Sequence, residues 1–320
     1  MRRALVLGTL VVIGGLSAVV GAMQQPAGGA RQGGAPGQTQ QPSAAALQVD
    51  KIRDNFYVLR GGGGNTSVFI TAKGVVLVDT KIAGWGQPII DRVKELTDRP
   101  ITTIINTHTH YDHVEGNVEF PPTVEVVTHE NTAKLMPEMR RVYGIQTPDR
   151  NVFKEHDGRN LPKRTFTDRL TLGSGSDRVE LHYFGRAHTS GDAWVVFPAL
   201  RILSTGDVFP NKGIPIMDAN NGGSGVEYPQ TLAKAAALPN IDTVVTGHNP
   251  TTLTMADLKE YAEFNREFVE AVRAAKKAGR TIDDVVNTWK VPERFLKAGY
   301  TQPMPNRLRS NVEVVWKELP

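Results

Sequence analysis

The sequence predicts an α/β chain of the α+β kind, two facing mixed sheets with helices packed on their outer faces. Three observations carry that expectation. Short runs of Val, Ile, Leu and aromatic residues alternate with segments of helical periodicity. The plan occurs twice, and in both halves an apolar strand runs into an aspartate: Val75-Val76-Leu77-Val78 into Asp79, and the run over 200–205 into Gly206-Asp207. Finally, His108, His188, Asp207 and His248 all stand just past apolar runs, where loops project side chains from a rigid frame.

Taken in order, residues 55–60, 66–71 and 74–80 read as consecutive antiparallel strands separated by glycines. Over 86–99, Ile89, Ile90, Val93 and Leu96 recur at helical spacing, and Pro100 stops the helix. Residues 101–106 and 123–128 are further strands, followed by a helix from Glu130 to about Val142. The stretch 144–165, rich in Pro, Arg, Asp and Gly, reads as a loop insertion. The second half gives strands over 167–172, 178–184, 193–198 and 200–205, a helix over 228–238 and a strand over 241–246. Thr254 caps a long helix that buries Leu258, Tyr261, Phe268, Val269 and Val272 and closes at Gly279.

Ahead of these elements lies an expected address. Arg2 and Arg3 precede an uncharged stretch over 4–22, which reads as a signal peptide cleaved after Val20-Gly21-Ala22. Export to the periplasm or the medium follows, with no stable membrane insertion after cleavage; left uncleaved, the same stretch would serve as an anchor. Residues 23–46 are Gly/Gln/Pro/Ala-rich and read as a flexible tether, leaving a single domain over 47–320. Without Arg2 and Arg3, the 37 basic residues fall to 35 against 33 acidic ones, which excludes nucleic-acid binding by bulk charge. The expected partner is a small molecule.

The chemistry concentrates in Thr107-His108-Thr109-His110-Tyr111-Asp112-His113. Given His108, two more histidines at those offsets arise by chance about once in 1,600 at this chain's usage of 8 in 320. With no cysteine, a metal here must be held by imidazole and carboxylate, a set that suits zinc.

The order Asp79, His108-x-His110-x-Asp112-His113, His188, Asp207, His248 resembles the metallo-β-lactamase superfamily of four-layer αββα metallohydrolases, over about residues 50–248. The resemblance implies that His108, His110 and His188 hold a first metal and that Asp112, His113 and His248 hold a second, with Asp207 bridging. It implies two Zn²⁺ per chain, with iron or manganese as substitutes. A hydroxide bridging the metals would cleave an ester, lactone, amide or phosphoester, with Asp112 as the catalytic residue orienting it. A β-lactamase is the second reading, though β-lactamases of the superfamily carry cysteine or a non-ligand where Asp207 stands; a bridging aspartate resembles glyoxalase II and its relatives. A mononuclear iron enzyme of the sulfur dioxygenase kind is the third, and the complete second ligand set argues against it.

Other residues carry weaker expectations. Asp79 is read as bonding loop backbone or a ligand histidine rather than a metal. Tyr111 points into the site or into packing, and Asn220, in the glycine-rich segment 218–224, shapes the substrate pocket or merely turns the chain. His129 is read as a surface or supporting residue, His182 as a strand residue and His156 as a solvated loop residue. The segments 144–165 and 212–227 carry no motif that names a substrate.

Overall fold

The computed structural model describes residues 41–320, so the expected leader and most of the tether lie outside the described residues. β1 (Gln48–Arg53), β2 (Phe56–Arg60), β3 (Thr66–Thr71) and β4 (Gly74–Val78) form an antiparallel meander. α1 (Gly86–Leu96) then crosses over to β5 (Ile101–Ile105), which lies parallel to β4. After the single turn of α2 (Tyr111–Val114) comes β6 (Glu125–His129), then α3 (Glu130–Leu135) and α4 (Val152–Glu155). β7 (Arg164–Phe166) completes a seven-stranded sheet in sequence order.

The second sheet repeats the device. β8 (Arg169–Leu172), β9 (Val179–His182), β10 (Trp194–Phe197) and β11 (Ile202–Ser204) are antiparallel; α5 (Tyr228–Ala236) then leads to β12 (Thr243–Val245), parallel to β11. The chain ends in α6 (Met255–Lys277), α7 (Ile282–Thr288), α8 (Glu293–Lys297) and α9 (Pro305–Glu318).

Alternation along the strands divides the apolar residues between two faces. Inward-facing Phe56, Phe69 and Phe197 meet edge-on or tilted between the sheets, with Phe197 centred 4.8 and 5.2 Å from the other two. On the outer face of the first sheet, Ile89 and Val93 of α1 cover Val75, Leu77 and Ile104. On the outer face of the second, Leu232, Tyr261, Phe264 and Val312 cover Trp194, Leu203 and Val244. The result is the expected αββα order of layers.

Three local expectations change. The helix from Glu130 stops at Leu135, because Pro137 lacks an N–H and restrains the residue before it. Residues 144–165 are not all loop: Val152 and Phe153 of α4 are buried with Val114, Val118 and Met136. β1 and β7 are strands of polar, charged composition, as edge strands often are. Among the described residues no helix is long and apolar enough to cross a membrane.

Candidate metal centre

Four strands, β4 and β5 in one sheet and β11 and β12 in the other, end at the same place. Past β5, Thr107 donates its main-chain N–H and its hydroxyl to Asp79 (2.8 and 2.7 Å), tying the ends of β4 and β5 together. Asn106 and Asn117 brace the turn with side-chain bonds of 2.8 and 3.3 Å. His110 precedes α2, and the single turn of that helix presents Asp112 and His113. In the other half, Asp192 accepts the N–H and hydroxyl of Thr189 and fixes the loop bearing His188. Gly247 is required by close approach, since a Cβ there would overlap Asp207 Oδ1. Gly64 is required likewise, since a Cβ there would overlap the His113 ring.

The outer hydrogen bonds fix which ring nitrogens face inward. His110 donates Nε2–H to Asp218 Oδ2 (2.7 Å), so its lone pair is on Nδ1. His188 donates Nδ1–H to the Ile216 carbonyl (2.8 Å), so its lone pair is on Nε2. Those two lone pairs face each other at 3.0 Å. His108 donates Nδ1–H to Thr107 Oγ1 (2.9 Å), which itself donates to Asp79; its Nε2 is buried and unpartnered. His113 donates Nδ1–H to Asp79 Oδ2 (2.8 Å) and turns Nε2 toward Asp207 Oδ1 (3.3 Å), Asp112 Oδ2 (3.7 Å) and His248 Nε2 (3.3 Å). His248 Nε2 stands 3.1 Å from Asp207 Oδ2 and 3.3 Å from Asp112 Oδ2. Asp207 Oδ1 is also buried without a hydrogen-bond partner.

Buried lone pairs that converge in this way repel unless positive charge stands among them. The donor set therefore fits divalent cations that take nitrogen and oxygen ligands. His108, His110, His188 and Asp207 each offer an atom within 4.8 Å of the others, and so do Asp112, His113 and His248. Asp79, His108 and His113 form a third such group, but both Asp79 oxygens are already engaged by Thr107, and one of them also by the outer nitrogen of His113.

The field in the two sets differs. Burial lowers His108 well below the usual histidine range, helped by the neighbouring histidines, and burial and His110 take His188 down to about 3. Both are neutral and ready to ligate. Around Asp207 and Asp112, burial opposes charge but the opposite charges outweigh it. His113 rises well above its ordinary value and His248 rises to about 10, while Asp112 falls to about 2 and Asp207 falls well below the carboxylate range. In the absence of metal, protons supply the positive charge that these carboxylates attract.

A sequence model of the Metallo-beta-lactamase superfamily matches residues 59–248. The chain belongs to that superfamily. Among its relatives is the 2,4-dinitroanisole O-demethylase subunit alpha of Nocardioides sp., 26% identical over 55% of this chain and 49% of its own length, so the chain matches about half of that protein. The metallo-beta-lactamase IND-1 of Chryseobacterium indologenes is 23% identical over 62% of this chain and 80% of its own. A solved metallo-beta-lactamase from Pontibacter korlensis shares the fold with a TM-score of 0.55 at 21% identity, covering 69% of this chain and 99% of its own. The sec-alkyl sulfatase PisA1, solved as a double mutant, gives a TM-score of 0.65 at 15% identity over 85% of this chain and 50% of its own. This metallo-β-lactamase-fold chain thus has a hydrolase-like fold with a His/Asp cluster that can bind metal, and its relatives act on different small molecules.

The structure brings His108, His110, Asp112, His113, His188, Asp207 and His248 together, with Asp79 behind them. Tyr111 is half-buried; it lines a cavity with Thr109, Glu115, Met139 and Arg140, and burial followed by Asp112 pushes its phenol up to about 12. Asn220 stays apart, its amide bonded to the Arg141 carbonyl (2.9 Å). His129 stacks on Tyr183 at 4.0 Å, His182 bonds Glu180, and His156 is exposed at the end of α4. The residue that sequence reasoning missed is Asp218. It sits two positions before Asn220 on the glycine-rich loop, and no periodicity or spacing marks it.

Proposed function

We propose that this chain is an exported binuclear zinc hydrolase that cleaves an ester, lactone, amide or phosphoester of a small molecule. The observation that carries the reading is the shared position of Asp207 between two ligand sets whose ligand-type atoms all converge on it. Bound there, two zinc ions would supply a water ionised near neutral pH and a Lewis acid for the developing oxyanion.

The protein's own part is positioning. Asp218, the Ile216 carbonyl, Asp79 and Thr107 hold His110, His188, His113 and His108 in single tautomers, so no ring must turn when a ligand arrives. Asp112, whose side chain is 18% exposed beside His248, would orient the attacking group by accepting a hydrogen bond from it. Tyr111, its phenol pushed up to about 12, stays protonated through neutral pH.

Asp207 argues for this reading over a β-lactamase, because a carboxylate held between two metals would occupy a coordination position that an expelled lactam nitrogen would need. The test is metal content of the purified protein, followed by kcat/KM on an activated ester, a lactone, a phosphodiester and a chromogenic cephalosporin. Two zinc ions per chain, with the cephalosporin the poorest substrate, support the proposal. One iron with no zinc, or a cephalosporin preferred above the others at more than about 10⁴ M⁻¹s⁻¹, would replace it.

A further inference from the structure

One lysine is placed at a double disadvantage. Lys81 follows β4 and is fully buried, and among the described residues no other lysine is. Its ammonium donates to the carbonyls of Leu59 (2.9 Å) and Gly64 (2.7 Å) and forms no ion pair among the described residues. A charge taken out of water without an opposite charge costs free energy that proteins ordinarily avoid. Its backbone is also left-handed, at φ +70, where a residue bearing a Cβ is strained. Strain and a buried charge at one residue persist where the surrounding structure uses them.

The user is the loop between β2 and β3. Leu59 and Gly64 stand on either side of residues 60–63, so the ammonium bridges the neck of Gly61-Gly62-Gly63-Gly64. Successive glycines hold no conformation of their own, and Gly61, Gly62 and Gly63 all take positive φ (+99, +68 and +115). Besides Lys81, the Ile82 N–H bonds the Gly62 carbonyl (3.3 Å). The loop so held touches every member of the Asp112, His113 and His248 set. The Gly64 N–H donates to the Asp112 carbonyl (2.9 Å), and Gly64 leaves no room for a Cβ beside the His113 ring. Asn65 donates its N–H to the Gly247 carbonyl (2.7 Å) and its amide to the carbonyls of Thr246 (2.9 Å) and Asn249 (3.0 Å). Both chain neighbours of His248 are thereby tied to the same loop as Asp112 and His113.

We propose that Lys81 is a positioning residue for the metal of the Asp112, His113 and His248 set. Acting through the glycine loop, it keeps ligands contributed by two different sheets at the spacing one ion needs. The inference rests on the two-metal part of the hydrolase reading above. An ammonium suits the task, since it carries three donors on a long stem and can hold two carbonyls at once. His108, His110 and His188 are held instead by Thr107, Asp218 and the Ile216 carbonyl, so loosening the loop should leave their ion in place.

The test measures stepwise zinc dissociation constants of the full chain by competition with a chromogenic chelator. Lys81→Met keeps the bulk of the side chain and removes its donors. It should weaken one of the two constants about 10- to 100-fold, the loss typical of a contact behind a ligand, and leave the other unchanged. In the His248→Ala background, where that set is already disabled, the same change should have no effect on the remaining ion. Because the chain has no cysteine, Lys81→Cys can be alkylated with 2-bromoethylamine while unfolded and then refolded with zinc. That restores an ammonium on a side chain of nearly the same length and should recover the lost affinity, which filling the core alone would not do. Asn65→Ala frees the loop from the His248 side and should weaken the same constant; if Lys81→Met does not fold, an unchanged constant in Asn65→Ala overturns the proposal. Two unchanged constants in folded Lys81→Met, or an equal loss in both, overturn it and leave the hydrolase reading standing. A single zinc in the wild type overturns the two-metal reading. The positioning role then stands if Lys81→Met and His248→Ala each weaken that ion, and falls otherwise.

Discussion

Replacing Asp218 by asparagine keeps the shape of the side chain and changes what it can accept. Asp218 is fully buried; Oδ2 accepts from His110 Nε2 (2.7 Å) and Asn221 Nδ2 (2.6 Å), and Oδ1 from the N–H groups of Tyr143 (2.9 Å) and Asn220 (3.0 Å). All four partners are donors, and an amide has only one acceptor oxygen, so one side of Asp218→Asn must meet donor against donor. If that side is His110, the ring loses the contact that keeps its lone pair inward. Loss of such a supporting contact weakens metal binding about 10- to 100-fold, or about 1.4–2.7 kcal/mol. The unsatisfied donors should cost about 1–3 kcal/mol of stability as well. The equivalent change on the other set is Asp79→Asn, which removes the acceptor of His113 Nδ1. Stepwise zinc dissociation constants, measured by competition with a chromogenic chelator, separate the two when one set is first disabled by His248→Ala or His188→Ala. Asp218→Asn should weaken zinc in the His248→Ala background, and Asp79→Asn in the His188→Ala background. Parental zinc affinity in the Asp218→Asn, His248→Ala protein would mean that Asp218 does not set the His110 tautomer.

Asp207→Ala should reduce zinc from two ions toward one and lower turnover by more than about a hundredfold, beyond the loss expected for an outer contact; wild-type rates would refute its shared role. Gly64→Ala drives a methyl into the His113 ring, so zinc in the Asp112/His113/His248 set should be lost at unchanged affinity of the other set, read by the same chelator competition. The apparent zinc affinity should rise with pH between about 6 and 9, because His113 and His248 carry protons there that the metal must displace. The sign for stability runs oppositely in the metal-free protein: a histidine raised to about 10 stabilises the fold below its ordinary value near 6.5, and that contribution fades as pH climbs through 10. Thermal melts of metal-free protein should therefore fall from pH 7 to 10 while zinc-loaded protein holds. Mature protein recovered from cells should begin near Met23, as N-terminal sequencing would read; full-length protein in the cytoplasm would count against export.

Much of the site is legible in the sequence for a geometric reason. A His-x-His-x-Asp-His run at a strand end forces four ligand-type side chains into one helical turn and the residues before it, and the period of the neighbouring strands shows where that end is. Asp218 is invisible in the same reading because its position depends on a loop folded by its own hydrogen bonds to Asn220 and Asn221. β1 and β7 escape notice because edge strands bury little and carry polar residues, so the alternation that marks β4 or β10 is weak there.

The repeat of strand into aspartate in both halves is real, but the two aspartates are not equivalent, and the strand ladders show why. The Asp79 N–H continues the β4–β5 ladder to the Ile105 carbonyl (2.9 Å), and in the other sheet it is the Thr205 N–H that continues β11–β12 to the Val245 carbonyl (3.0 Å). Asp79 therefore corresponds to Thr205, and Asp207 stands two residues farther from its strand. That offset, with Gly206 at φ +50 and Gly247 alongside, carries the Asp207 carboxylate forward between the histidine sets, whereas Asp79 stays level with the backs of Thr107 and His113. The residue two beyond Asp79 is Lys81. Its ammonium turns away to the carbonyls of Leu59 (2.9 Å) and Gly64 (2.7 Å), and burial lowers it to about 7. One half thus sends a carboxylate into the centre where the other places a buried lysine whose bond to the Gly64 carbonyl pins that loop beside His113. The asymmetry gives the two ligand sets a single shared oxygen donor, Asp207, within 3.3 Å of His113 Nε2 and 3.1 Å of His248 Nε2.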